Sequence, residues 1–305
     1  VSSAVDPGWI RLGPLPGNSR SVRSVRGELY SFSYTPDASG PAAFVSSEGR
    51  TWNTLDLPDG MVFAELQAAG DNVVMAGYTD RSLLISVREG DGFRVVAELE
   101  GRLHALRGTD TEIEAYVLLA GTMRQVTISV GTGRATETVL PWRPLFVELL
   151  GDQVVVAGES ESDGRPPTRA HVSIDGGGTW TSFDVEFWAW HRLGDGLLLQ
   201  GRPGQPSSFL RTEPAPSLEL VTTPVELVVP HPGARAAVQW DDRLVVYDGT
   251  GRLTIFTDLS TEPDSISVSV DSGFHGVFGW PVGDRYVVGS EQGQSVLYRW
   301  TGELP

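Results

Sequence analysis

A short apolar run, a glycine with a polar neighbour and a second apolar run recur along the whole chain. The junction glycines lie 38 to 50 residues apart and are Gly27, Gly70, Gly108, Gly151, Gly194, Gly233 and Gly283. This spacing is typical of four-stranded propeller blades, and continuous apolar runs indicate strands covered on both faces. No segment shows a sustained helical period. We therefore expect an all-β chain with almost no helix.

The repeat predicts one seven-bladed β-propeller over residues 1–305, with six blades as the alternative. The segment Gly8–Leu12 resembles a fourth strand without three predecessors, whereas Ser295–Trp300 resembles a third strand without a successor. Because a shared blade would remove exposed sheet edges, we expect residues 8–13 to lie beside residues 294–300. The expected blades are approximately 18–59, 60–100, 101–141, 142–185, 186–224, 225–260, and 261–305 together with 8–13.

A turn motif supports this division into blades. Ser173–Trp180 reads Ser-Ile-Asp-Gly-Gly-Gly-Thr-Trp, and Ser46–Trp52 is a shorter version with Glu48 in place of the Asp. Such a carboxylate can accept hydrogen bonds from nearby backbone N–H groups, and Gly supplies the positive φ of a tight turn. The final Trp buries its ring under the turn. We expect a structural role for this motif, namely for Ser173, Asp175, Gly177, Thr179 and Trp180.

With these motifs the chain resembles the Asp-box (BNR-repeat) β-propellers, a superfamily that contains the sialidases. The resemblance implies Asp boxes at the periphery of the propeller, away from a ligand-binding mouth. The sialidase catalytic set has no visible counterpart here, and Arg11–Pro14 is the nearest echo of its Arg-Ile-Pro motif, with one residue too many. The repeat count resembles that of seven-bladed non-enzymatic propellers, such as photosystem assembly factors and bacterial surface or periplasmic proteins, more than that of the sialidases.

Composition narrows the classes of partner. The chain carries 39 acidic and 23 basic residues, and this acidic excess disfavours binding to the phosphate backbone of nucleic acids. The absence of cysteine excludes disulfides, thiol catalysis and zinc–thiolate sites. The sequence contains no run of 18 apolar residues, so it predicts no transmembrane helix. Since the sequence begins like a trimmed mature form, we expect an exported bacterial protein (periplasmic, cell-surface or secreted), monomeric and without a cofactor.

Candidate ligand-binding residues are those expected near the mouth of the central channel, where the inner strands converge. Counting back three residues from each junction glycine gives Ser24, Gln67, Ala105, Glu148, His191, Pro230 and Trp280. The segment Trp188–Arg192 is the densest cluster, and its two tryptophans could stack a planar ligand or pack between blades. The full candidate set is Trp188, Trp190, His191, Glu148, Glu65, His104 and Trp280. The histidines show no metal-binding spacing.

Two functions fit these residues. The first is a non-enzymatic propeller that binds a protein or glycan partner at one face. The alternative is a divergent sialidase-like glycoside hydrolase or lyase that uses Glu65, Glu148 and His191 in the channel. We favour binding, because no complete catalytic set can be named and a fold does not imply a function.

Overall fold

The structure, a computed structural model, describes residues 8–19, 21–34, 41–150, 153–160, 166–193, 196–201, 205–212, 215–221, 237–240, 243–247, 252–256, 264–267, 280–282, 285–291 and 294–302. Regular structure in these ranges consists of β-strands and one 3-10 turn, Pro16–Asn18. The prediction of an all-β chain is confirmed. None of the described residues belongs to a helix long and apolar enough to cross a membrane.

The described strands form five antiparallel sheets of four strands and one sheet of eight strands. The eight-stranded sheet consists of two antiparallel halves of four strands that are joined by one parallel pair, so the described strands divide into seven units of four. The chain opens with β1 (Trp9–Pro14), which belongs to unit 7. Unit 1 comprises β2 (Ser21–Val25), β3 (Glu28–Tyr34), β4 (Pro41–Ser46) and β5 (Asn53–Leu55). Unit 2 comprises β6 (Val62–Ala69), β7 (Asn72–Tyr78), β8 (Leu83–Glu89) and β9 (Gly92–Leu99). Unit 3 comprises β10 (Arg102–Gly108), β11 (Glu112–Leu119), β12 (Thr122–Ser129) and β13 (Ala135–Val139).

The remaining units have the same strand order. Unit 4 comprises β14 (Pro144–Leu150), β15 (Val154–Glu159), β16 (Arg169–Ser173) and β17 (Thr181–Asp184). Unit 5 comprises β18 (Ala189–Leu193), β19 (Gly196–Gln200), β20 (Ser207–Arg211) and β21 (Ser217–Val221). Unit 6 comprises β22 (Ala237–Trp240), β23 (Arg243–Tyr247), β24 (Arg252–Phe256) and β25 (Asp264–Ser267). Unit 7 comprises β26 (Trp280–Val282), β27 (Tyr286–Glu291), β28 (Gln294–Trp300) and β1.

Unit 7 combines the first described strand of the chain with its last three. β1 pairs antiparallel with β28, and Trp9 stands opposite Trp300. Beyond the paired strands, the Thr301 N–H donates to the Gly8 carbonyl at 2.8 Å, and the Leu15 N–H donates to the Ser295 carbonyl at 2.8 Å. These backbone bonds leave β28 with a partner on each side.

Apolar side chains join consecutive units. Each of six buried clusters contains residues of two neighbouring units, as Ile85 of unit 2 and Ile113 of unit 3 illustrate. One of these clusters joins unit 7 to unit 1 through Leu297 and Val22. Units 6 and 7 meet where Trp9 packs edge-on against Trp240. Since both faces of a middle strand are covered, such strands read as continuous apolar runs in the sequence.

The described strands of the sixth unit lie between residues 237 and 267. β22 pairs with β23, so the first turn of unit 6 lies between residues 240 and 243. β25 pairs with β24 and is the fourth strand of the unit. Gly233 and Pro230, which the sequence pattern places at and just before the junction of this unit, lie outside the described residues.

The turn between β16 and β17 is held by its own side chains. The hydroxyl of Ser173 accepts the Gly177 N–H at 2.7 Å, and the Trp180 indole donates to the Gly177 carbonyl at 3.0 Å. One Asp175 oxygen accepts the Thr179 N–H at 2.8 Å, and the other accepts the Thr179 hydroxyl at 2.7 Å. These bonds, the Thr179 N–H first, lower the pKa of Asp175 to about 2.

The turn between β4 and β5 has the same construction. The Ser46 hydroxyl accepts the Gly49 N–H at 2.8 Å, and the Glu48 carboxylate accepts the Thr51 hydroxyl at 2.6 Å. Glu48 therefore occupies the role that an Asp has in the full motif. Both turns connect the third and fourth strands of a unit, far along the sheet from its first strand.

Candidate functional site

The first strands of consecutive units lie in contact, as β6 does with β10 and β10 with β14. β6 and β10 run parallel through the pair of Ala69 with Gly108, so equivalent ends of these strands lie at the same side. We call the side where first strands turn into second strands the turn end. The opposite side, where first strands begin, we call the bulge end for the reason given below.

In each unit we compare the first-strand residue of the third residue pair, counted from the turn between the first and second strands. Five of these seven residues are polar or ionisable. The seven are Arg23, Gln67, Arg107, Glu148, His191, Val238 and Trp280. Gln67, Glu148, His191 and Trp280 occupy the register that the sequence predicts. Ser24 and Ala105 do not, and Arg23 and Arg107 stand in their places. The side chain of Trp280 lies outside the described residues.

Arg107 connects units 3 and 4. Its guanidinium donates to the Glu114 carboxylate at 2.8 Å and to the Val154 carbonyl at 3.3 Å, and both side chains of the ion pair are largely buried. Gln125 donates to Glu114 at 2.9 Å and to the Gly176 carbonyl at 2.7 Å. This network anchors the Asp175 turn of unit 4 to unit 3, and it gives Arg107 a structural partner.

Trp190 and Glu148 contact each other across two units. The Trp190 indole donates to Glu148 at 3.1 Å, and its ring stacks on Phe146 with centroids 3.9 Å apart. Trp190 therefore packs between units 4 and 5, whereas Trp188 is 52% exposed. The two tryptophans that the sequence placed together thus have different surroundings.

His191 lies on β18 beside the second strand of its own unit. Its Nε2 is 3.3 Å from the Gln200 side-chain oxygen. Burial lowers the pKa of His191, and the bond to Gln200 opposes this effect only in part. A neutral imidazole at this place can donate or accept one hydrogen bond but carries no charge toward a ligand.

Three consecutive first strands carry a β-bulge at the same position. The extra residue precedes the fifth pair from the turn and is Ala64 in β6, His104 in β10 and Leu145 in β14. In unit 5 the N–H of Trp188 donates to the Gln200 carbonyl, although Gln200 is paired with Ala189. Trp188 thus occupies the equivalent position. Bulges re-aim side chains and are common at rims and next to functional sites.

Large apolar side chains are exposed at this bulge end. Trp188 is 52% exposed, Val62 at the start of β6 is 43% exposed and Leu145 is 37% exposed. Two arginines lie at the same end of the first strands. Arg102 is the first residue of β10, and Arg143 immediately precedes β14. The bulge end therefore combines exposed apolar groups with two exposed arginines.

His104 at the bulge end has a strongly lowered pKa. Burial in the first place, and then the positive charges of Arg102 and Arg143, lower the pKa of His104 to about 4. Its Nε2 is buried and has no hydrogen-bond partner among the described residues. The sequence singled out His104 as a candidate, but the pattern gives no sign of the bulge or of the two arginines beside it.

Glu65 lines an open polar cavity of about 460 Å³ between β2 and β6. The other polar groups of this cavity include Arg23, Arg26 and Gln67, whose amide donates to Glu65 at 3.1 Å. Glu65 thus shares this cavity with two arginines. The cavity reaches the turn end and lies on another part of the first strands than His104.

A separate cluster lies on the outer strands of unit 4. His171 is buried, its Nδ1 lies 2.8 Å from the Ser182 hydroxyl and its Nε2 lies 2.9 Å from the Glu159 carboxylate. Trp142 stacks on the imidazole with centroids 4.1 Å apart and meets Trp180 edge-on. The sequence offers no signal for this cluster, because its members are brought together only by strand pairing. No group of three metal-binding side chains occurs among the described residues.

Solved structures with a similar course of the chain are β-propellers. YCF48 from Cyanidioschyzon merolae has a TM-score of 0.63 at 12% identity over 96% of this chain and 98% of that chain. The β-propeller domain of the Trilobed protease from Pyrococcus furiosus has a TM-score of 0.62 at 12% identity over 93% of both chains. The chain folds as a β-propeller.

A further propeller neighbour carries a ligand. YCF48 bound to D1 peptide has a TM-score of 0.62 at 13% identity and covers 99% of both chains. At these identities the likeness establishes the fold alone. No protein-family model matches the sequence, and no curated protein matches it either.

Proposed function

We propose that this propeller is a non-enzymatic binding protein that takes an extended peptide segment of a protein partner at its bulge end. The observation that carries the proposal is the equivalent position of His104, Leu145 and Trp188 in three consecutive units. Their side chains form a row along one end of adjacent inner strands. A row with a regular spacing suits an extended chain, whose side chains also recur at regular intervals.

The proposal includes the architecture that the sequence predicts, seven blades in a ring closed by β1. The seven four-stranded units support this count. The contact of unit 7 with unit 1 through Leu297 and Val22, and the pairing of β1 with β28, support the closure. Closure would hide the sheet edges that a free terminal blade leaves exposed.

The chemistry of the bulge end favours a peptide. Exposed aromatic and aliphatic groups such as Trp188 and Leu145 are the side chains that dominate the energy of protein interfaces. The similarity to a propeller that was solved with a peptide bound points the same way. A glycan is the other partner class, because an exposed Trp can stack a sugar ring.

The test exposes the full chain to an array of short peptides and to a glycan array, followed by calorimetric titration of the best ligand. Trp188→Ala and Leu145→Ser should weaken peptide binding roughly tenfold or more. Leu220→Ser, at an exposed position of the outer strand β21, is the matched control and should bind as the parent does. Retention of glycans but no peptides, or a peptide affinity indifferent to both variants, would contradict the proposal.

A hydrolase is the second candidate, favoured by one series of hydrogen bonds. Ser182, His171 and Glu159 are linked in the order hydroxyl, imidazole and carboxylate, which is the order of groups that activates a nucleophilic serine. In contrast, the carboxylates of Glu65 and Glu148 accept hydrogen bonds from their own neighbours. A fluorophosphonate probe that labels the parent chain but not Ser182→Ala would favour hydrolysis over binding alone.

A further inference from the structure

The two exposed apolar residues of units 4 and 5 each adjoin a buried aromatic residue in the chain. Leu145 is followed by Phe146, and Trp188 is preceded by Phe187. The rings of Phe146 and Phe187 meet edge-on with centroids 5.6 Å apart, and the Phe187 N–H donates to the Pro167 carbonyl of unit 4 at 3.2 Å. The backbone beside each exposed residue is thus attached to one contact between the two units.

Trp190 is the third aromatic residue of this contact. Its ring stacks on Phe146 at an interplanar angle of 13°, and its indole N–H donates to the Glu148 carboxylate at 3.1 Å. A Cβ atom at Gly158 would lie 1.9 Å from a carbon of the Phe146 ring, so this ring lies directly against the backbone of β15. We call Phe146, Phe187 and Trp190 the aromatic cluster. Packing against backbone and against each other leaves these rings little freedom to move.

We propose that the aromatic cluster holds Leu145 and Trp188 at a fixed separation, and that this separation selects peptides by the spacing of their apolar side chains. The inference rests on the proposed function, since the spacing is that of the bound peptide. Side chains on one side of an extended chain recur every second residue, so only some spacings can reach both positions at once. A peptide that fits both positions gains affinity from their pre-organisation, whereas a loosened pair would accept several spacings equally.

The first test measures this selectivity with a series of blocked peptides. Each peptide carries two leucines in a Gly-Ser sequence, and the number of residues between the leucines increases from one to five. Calorimetric titration of the full chain should show one spacing that binds roughly tenfold or more tighter than the weakest. Leu145→Ser should remove the preference, because one apolar position is lost. Equal affinities across the series for the parent chain would overturn the inference.

The second test loosens the aromatic cluster and leaves both exposed residues in place. Trp190→Leu removes the stacked ring and the indole donor, and Gly158→Ala displaces the ring of Phe146. In both variants the affinity ratio between the best and the weakest spacing should fall to about threefold or less. Glu148→Ala should weaken the preference as well, whereas Glu148→Gln keeps an oxygen that accepts the indole N–H and should retain it.

Trp180→Leu is the matched control for loss of an aromatic contact. Trp180 also meets another tryptophan edge-on, namely Trp142, and its indole also donates a hydrogen bond, to the Gly177 carbonyl at 3.0 Å. It lies in the turn between β16 and β17, away from the first strands. This variant should lower the urea midpoint and keep the spacing preference of the parent. Loss of the preference in this variant too would show that general loosening, and not positioning, changes the selectivity.

The outcomes separate this inference from the proposed function. A spacing preference that survives Trp190→Leu and Gly158→Ala would overturn the positioning role, while peptide binding that depends on Trp188 would stand. Circular dichroism establishes that each variant is folded, and the comparison of Glu148→Ala with Glu148→Gln decides the question if the other two variants do not fold. If no peptide of the array or of the leucine series binds to the full chain, the proposed function itself fails, and this inference with it.

Discussion

Trp9 lies directly opposite Trp300 in the pair of β1 and β28, and their ring centroids are 5.1 Å apart at an interplanar angle of 61°. The ring of Trp300 also covers Gly8, where a Cβ atom would overlap it. Trp9 contacts Trp240 of unit 6 in turn. Three tryptophans therefore link the first described strand, the last one and the neighbouring unit, so this contact should matter for the stability of the whole fold.

Trp300→Ala is expected to lower the free energy of unfolding by about 3–5 kcal/mol, the usual range for removal of a large buried aromatic. Urea titration followed by circular dichroism measures this change without relying on tryptophan fluorescence. Leu220→Ala on the exposed surface of β21 is the control and should change stability by less than about 0.5 kcal/mol. A loss below about 1 kcal/mol for Trp300→Ala would show that the two ends of the chain contribute little to stability.

The fold could be predicted from the sequence because each unit repeats the same pattern of buried strands. The register could not be predicted equally well, because the junction glycine does not occupy a constant place. Gly27 is the second residue of its turn and Gly70 is the first, whereas Gly108 still belongs to β10. Counting from glycine therefore selected Ser24 and Ala105, one and two residues away from the equivalent positions.

The bulges were beyond the reach of the sequence for a different reason. A bulge adds one residue without a characteristic side chain, as Ala64, His104 and Leu145 illustrate. The sequence identified His104 and Trp188 as candidates by residue type alone. Their equivalence appears only when the pairing of each strand is known, and the same holds for the cluster around His171.

The second prediction concerns the pH dependence contributed by Asp175. Its folded-state pKa of about 2 lies below the value of about 3.9 for an unfolded chain, so its stabilising effect is present above about pH 4. The effect is lost as the pH falls from about 4 to about 2. The difference in urea midpoint between the parent and Asp175→Asn should therefore shrink over that interval.

A neighbouring residue provides the control for this prediction. Ile174 is an exposed residue of the same turn and carries no titratable group. The midpoint difference between the parent and Ile174→Ala should stay constant from pH 5 to pH 2. A constant difference for Asp175→Asn as well would show that the hydrogen bonds from Thr179 do not depend on the carboxylate charge.

The third prediction concerns the ion pair of Arg107 and Glu114 within unit 3, whose guanidinium also donates to the Val154 carbonyl of unit 4. Glu114→Ala removes the carboxylate from a guanidinium that is only 12% exposed, and it also removes an acceptor of Gln125. A cost of about 2–3 kcal/mol is expected, somewhat below the figure for a fully buried pair. Glu137→Ala, which breaks the more exposed pair with Arg124 of the same unit, should cost less than about 1 kcal/mol. Equal costs in urea titrations would contradict the structural role of Arg107.

The fourth prediction separates hydrogen bonding from packing at His171. His171→Ala removes the partner of both Glu159 and Ser182 and opens a space beside Trp142, so its cost contains several contributions. Ser182→Ala removes the single hydroxyl. A double-mutant cycle isolates the interaction between the two residues, for which about 0.5–1.5 kcal/mol is expected from a hydrogen bond at 2.8 Å.

A second double-mutant cycle serves as the control, with two residues that both contact the imidazole of His171. Trp142→Leu combined with Ser182→Ala tests two residues that each contact His171 from different sides, and near-additive costs are expected because they share no direct bond. A coupling near zero for His171 with Ser182 would mean that the hydroxyl is bound to water in solution. In that case the series from Ser182 to Glu159 would be broken at its first step, and the hydrolase candidate would lose the observation that favours it.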